Sequence, residues 1–173
     1  QFFPIYQGSV LPYDSDAGSA VAASITAILS GEAYKTSAEL AGLAGPFPSF
    51  VKNRVSMLEV MRMHQNSVRE INVELMPSSL RYLVNDAWDS WAEAIEFGEK
   101  YGYRNAQVTV IAPTGTIAFM MDCDTTGPEP ELALVKYKVL SGGGMLKIVN
   151  NSVRNSLKTL GYGESQINDI IAS

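Results

Sequence analysis

Apolar residues recur at helical spacing along most of the chain. Ala17, Val21, Ile25, Ile28 and Leu29 fit one face of a 3.6-residue repeat, with Asp14 or Ser15 placed to cap its start. Gly31 reads as an interruption, and a second helix through Tyr34, Ala38 and Ala41 is expected to stop before the Gly42 to Gly45 stretch. Pro46 and Pro48 then impose a loop, because each proline also pushes the residue before it out of helical geometry. The repeat resumes from Val51 to about Val68 through Val51, Val55, Leu58 and Met61. Met57, Met61 and Met63 read there as core filler, with a cofactor-lining methionine cluster as the alternative. Pro77 breaks the chain, and Ser78 or Ser79 can cap the clearest helix, which runs to about Tyr101 before Gly102. Its stripe is Leu80, Leu83, Val84, Ala87, Trp88, Trp91, Ile95 and Gly98. Asp86, Asp89, Glu93, Glu96 and Glu99 fall mainly off that stripe and predict a solvated face rather than an acid/base pair.

The pattern changes after Gly102. Gln107 to Ala112 is short, bounded and rich in β-branched residues, which predicts a strand. Residues 117–123 suit a helix or a strand. Gly127 to Pro130 ends that element, and Glu131 to Leu140 predicts a short helix. Gly142 to Gly144 is a hinge or a point of close approach. Met145 to Leu160 is amphipathic through Leu146, Val149, Val153, Leu157 and Leu160, with Gly161 as its stop, and Ile167, Ile170 and Ile171 mark a final short helix. Gln1 to Val10 is apolar and aromatic through Phe2, Phe3, Ile5 and Tyr6; it reads as a diverged or foreign end, with a short edge strand as the plain alternative. One strand cannot make a sheet, so the expected fold is mainly α with one or few strands. The domains expected are a separate segment 1–10 and a single helix-rich domain 11–173.

A chain of 173 residues, 46% of them hydrophobic, can bury a core. The net charge of −5 excludes a general nucleic-acid surface, which would be basic, but leaves room for a local anion site. No apolar run approaches the roughly 20 residues of a membrane span. The single cysteine permits no intrachain disulfide and suits a reducing cytoplasm. Candidate chemistry concentrates in Pro113, Thr114, Gly115, Thr116 and Ile117. A strand that ends in a small-residue turn and feeds a helix presents unpaired amides and the positive end of a dipole, which favours a phosphate. Pro113 stops the ladder and Gly115 lets a ligand approach the backbone. The same turn also closes many strands that bind nothing. Gly142 to Gly144 could cradle a phosphate too, but lacks the Lys-Ser ending of a P-loop. Cys123, between Asp122 and Asp124, reads as a buried structural thiol, because neighbouring negative charge opposes a thiolate. His64, the lone histidine, reads as a surface residue and makes no zinc site with one distant cysteine. Lys136, Lys138 and Lys147 either line an anionic ligand or form a solvated helical face.

Several segments together resemble one family. They are Ala112 to Gly127 (APTGTIAFMMDCDTTG), Pro130 to Lys138 (PELALVKYK) and Gly142 to Asn150 (GGGMLKIVN), with Leu11 to Ser15, Gly45 to Pro48 and Leu160 to Tyr162 in support. From about residue 10 onward the chain is similar to the large catalytic subunit of adenosylcobalamin-dependent, class II ribonucleotide reductases. The resemblance implies that the strand at Gln107 to Ala112 belongs to an α/β barrel whose other strands lie largely outside this sequence. It favours a helix after the turn, and a role for residues 113–117 in holding the substrate diphosphate. It also implies adenosylcobalamin as cofactor of the full-length family, with none expected for this piece alone. Two departures bear on activity. The family's thiyl-radical cysteine and its redox cysteine pair have no counterpart here, and Pro128 stands where the family has an aliphatic residue. The expectation is a partial reductase, inactive alone, whose partners are a ribonucleotide and either the rest of the enzyme or a second copy through apolar helix faces. The alternative is a non-catalytic helical interaction module or split-subunit docking partner.

Overall fold

The computed structural model describes residues 2–5, 9–12, 14–121, 123, 125, 127, 133, 135–139 and 142–172. The chain divides into two compact units, residues 19–110, and residues 1–18 together with 111–173. Among the described residues helices dominate and strands are few, as the apolar periodicity predicts.

Three helices build the first unit: α1 (Asp16–Ala44), α2 (Phe50–Val68) and α3 (Tyr82–Tyr101). Of the two candidate caps for α1, Ser15 serves, its Oγ accepting the Gly18 N–H at 3.0 Å. Gly31 does not interrupt α1, which continues through it. The glycine is there for packing: a Cβ at position 31 would stand 2.8 Å from Ser90 Cβ and 3.2 Å from the Trp91 nitrogen. A helix tolerates one glycine when a neighbouring backbone needs the space. In α2 the buried face is Phe50, Leu58, Met61 and Val68, whereas Val51 and Val55 are exposed. Apolar residues occupy two faces of this helix, and periodicity alone did not choose between them. Of its three methionines, Met61 is buried, Met57 packs against the core and Met63 is exposed.

Ser78 and Ser79 form a 3-10 turn rather than caps, and α3 begins four residues after Ser78 at Tyr82. Its far end is as expected: Gly102 adopts φ 77° and its N–H bonds to Gly98 O. Ala87, Trp91, Ala94 and Gly98 are buried, and the carboxylates of Asp86, Asp89, Glu93, Glu96 and Glu99 are exposed. Glu93 pairs with Lys35 of α1, and Glu99 with Arg62 of α2.

An aromatic cluster closes this core. Tyr34 meets Trp91 and Tyr103 at centroid distances of 5.8 and 5.7 Å, and Phe50 meets Tyr103 edge-on at 5.9 Å. Tyr103 is fully buried and its hydroxyl donates to Ala94 O at 2.8 Å. Burial pushes its hydroxyl well above the usual tyrosine range, and the Glu99 charge adds to that. After Tyr103 the chain runs back along α1. Arg104 N–H donates to Ser37 O, Asn105 exchanges hydrogen bonds with the Ser37 hydroxyl, and the Ser30 and Thr109 hydroxyls lie 3.3 Å apart. The strand predicted at Gln107 to Ala112 is not formed: no ladder partner pairs with it among the described residues. Val108 packs on the core, but Val110 and Ile111 are exposed. A β-prone run without a neighbour has nowhere to place its backbone hydrogen bonds as a strand.

The strands found among the described residues lie in the second unit. β1 (Phe2–Ile5) pairs antiparallel with β2 (Ser9–Pro12), so of the two readings of the first ten residues it is the alternative, a short edge strand, that the pairing favours. β3 (Val135–Val139) pairs with β4 (Met145–Val149) from Val135 opposite Val149 to Val139 opposite Met145. The helix expected over Glu131 to Leu140 is therefore a strand over its described part, and the helix expected from Met145 is confined to α5 (Ser152–Thr159). Val135 to Val139 alternates apolar and basic residues with a period of two, which is the strand signature. Gly142 to Gly144 lies in the hairpin connection, where Gly143 has φ 86°. Two further helices, α4 (Gly115–Met120) and α6 (Glu164–Ala172), complete the elements. Ile167 of α6 is fully buried, and Ile170 is exposed.

Candidate functional site

The five residues singled out by the sequence form one continuous turn. Gly115 N–H donates to Pro113 O at 2.9 Å, and Ala118 N–H donates to Thr114 O at 2.8 Å. The second bond opens α4 with Thr114 as its cap residue, so the ambiguous segment after the turn is a helix from Gly115 to Met120. In such a helix the first amides have no acceptor within the helix itself. Gly115 turns its own amide back onto Pro113. Thr116 and Ile117 then supply the amides at the open end, and both residues are exposed. A Cβ on Gly115 would meet nothing within 4 Å, so packing does not demand glycine there; the space beside it is open. The turn can thus offer two backbone N–H groups and the Thr116 hydroxyl to an anion, with a partial positive dipole that a six-residue helix keeps small.

The other candidates do not join this turn. Lys136 and Lys138 share one face of β3, while Lys147 lies opposite Tyr137 and so on the other face. The three lysines are on a hairpin, not a helix, and they do not converge. Lys147 Nζ instead donates to the Ile171 and Ala172 carbonyls at 3.5 Å, where a cation complements the C-terminal end of α6. Cys123 is exposed, which overturns its reading as a buried thiol. It follows the short α4 directly, its N–H bonded to Ala118 O, and a six-residue helix carries it no deeper. Its neighbours Asp122 and Asp124 lie outside the described residues, as do Pro128 and Pro130. His64 is exposed as expected, its ring stacked on Trp91 at 5.0 Å. No group of three metal-ligating side chains comes together among the described residues. None of their helices is long and apolar enough to cross a membrane.

One feature escaped the periodicity. A shallow groove of about 410 Å³ runs along α1, lined by Leu29, Glu32, Ala33, Thr36, Ser37, Leu40 and Asn105. The signal was present in the sequence: α1 has apolar residues outside its core face, and a helix that is apolar on two sides exposes one of them unless it is fully enclosed.

Comparison with known proteins gives the same answer as the motif run. Residues 5–173 match the family model described as the ribonucleotide reductase barrel domain. A vitamin B12-dependent ribonucleotide reductase of Rhodopirellula baltica is 56% identical over 161 residues, covering 93% of this chain and 15% of that protein. Those of Agrobacterium fabrum and Bradyrhizobium diazoefficiens are 51% and 49% identical, covering 97% and 94% of this chain and 14% of each relative. The chain therefore spans only about 14 to 15% of the length of these curated relatives. With its match extending from residue 5 to residue 173 and these three relatives each a vitamin B12-dependent ribonucleotide reductase, the chain belongs to the ribonucleotide reductase family, within the barrel domain.

Proposed function

We propose that this chain supplies the substrate-diphosphate loop of an adenosylcobalamin-dependent ribonucleoside-diphosphate reductase, which makes deoxyribonucleotides for DNA synthesis in the cytoplasm. The observation that carries the reading is the open turn at residues 113–117, set within a family match that covers nearly the whole chain. Oriented amides at a helix start suit a phosphate whose charge is spread over several oxygens. The Thr116 and Ile117 amides and the Thr116 hydroxyl would hold the diphosphate. Pro113 and Thr114 would fix the turn by accepting from Gly115 and Ala118. Gln107 to Ala112, unpaired among the described residues, would be one strand of the barrel, with neighbours from elsewhere in the polypeptide.

The groove on α1 does not fit a corrin. It is open and far smaller than a cobalamin, and its lining includes no histidine. Adenosylcobalamin would belong to the whole enzyme and bind through residues beyond this chain. The partners of the chain would be a ribonucleotide and the remaining parts of the reductase.

Titration of the purified chain with a ribonucleoside diphosphate, observing the amide resonances of Gly115, Thr116 and Ile117, tests this reading. Saturable shifts confined to the turn are expected. Thr116→Val should weaken binding by roughly tenfold, because one hydrogen bond to a charged group contributes about 1.5 kcal/mol or more. An unshifted spectrum up to millimolar nucleotide would leave the loop without a binding role in the isolated chain. The docking-partner reading would then be preferred, and the exposed apolar residues Val51, Val55, Leu29 and Leu43 favour it.

A further inference from the structure

We draw no further inference here: the strongest candidate, the exposed apolar stripe of Ile25, Leu29, Leu40 and Leu43 along α1 beside the groove at Asn105, is an unpartnered helix face, and nothing in the structure shows what covers it.

Discussion

A Cβ placed on Gly98 would lie 2.1 Å from the Tyr103 hydroxyl, inside any permissible contact. Tyr103 cannot simply swing away, because it is fully buried and hydrogen-bonded to Ala94 O. Gly98→Ala should therefore destabilise the chain by about 1–3 kcal/mol, the usual penalty of overpacking, despite the better helix propensity of alanine. Gly115→Ala is the matched control. Its Cβ enters open space, so urea denaturation should place this variant within about 1 kcal/mol of the parent. Equal midpoints for the two variants would refute the assignment of Gly98 as a contact glycine. Tyr103 also sets a pH limit. Its native hydroxyl ionises well above the ordinary value of 10.0, chiefly through burial, and Tyr34 is raised for the same leading reason. Above about pH 10 the unfolded chain loses these protons before the folded one does, so the unfolded state binds fewer protons and stability falls as pH rises. Below about pH 10 this contribution is fully present. Denaturation midpoints measured at pH 8 and at about pH 11 should separate, and Tyr103→Phe should reduce the separation.

Between α1 and α3 the same steric logic operates on a pair of elements. Gly31→Ala adds roughly 1 kcal/mol of helix propensity to α1. It also drives a methyl against Ser90 Cβ at 2.8 Å and backbone atoms at 3.2 Å, none of which is the free end of a flexible side chain. The clash should win, giving a net loss of about 1–2 kcal/mol and a lower Tm. A gain in Tm would mean that the helices separate at little cost. This contact explains why a glycine read in sequence as a helix break is a packing device: propensity sees position 31 alone, and the reason for it lies on α3. The helices themselves were legible because long stripes such as Ala87, Trp91 and Gly98 repeat over several turns. The hairpin of β3 and β4 was legible in principle, since Val135 to Val139 alternates, but a helical reading was carried across it from the neighbouring apolar residues. Val51 and Val55 fall outside the core because α2 is apolar on two faces, and the covered face is the one that carries Phe50, Leu58 and Met61 into the cluster with Tyr34, Trp91 and Tyr103. At the candidate site the turn is readable from Pro113 and Gly115, but the helix after it is favoured only by the family resemblance, because residues 117–123 suit a helix or a strand. The internal bond of the Gly115 amide is not readable, because it depends on a backbone geometry that residue identities do not determine.

For the whole molecule, the distinction that matters is between holding a nucleotide and reducing one. Reducing a ribose at carbon 2 consumes two electrons, and in this family a pair of cysteines is implied to supply them beside a third that carries the radical. The chain has one cysteine, Cys123, which is exposed and lies just beyond α4, the helix that the proposed phosphate turn opens. One thiol cannot close an intrachain disulfide, so it cannot deliver the two electrons by that route. The purified chain, given adenosylcobalamin, a dithiol and a ribonucleoside diphosphate, should yield no deoxyribonucleotide above background. The amide shifts at Thr116 and Ile117 should still appear under the same conditions, because an anion site made from backbone donors requires no thiol. Cys123→Ser should leave those shifts unchanged. Measuring product and amide shifts on one sample separates the outcomes: shifts without product place the chain as a binding element of a larger enzyme, whereas product that survives Cys123→Ser would overturn the requirement for cysteine chemistry supplied from outside the chain.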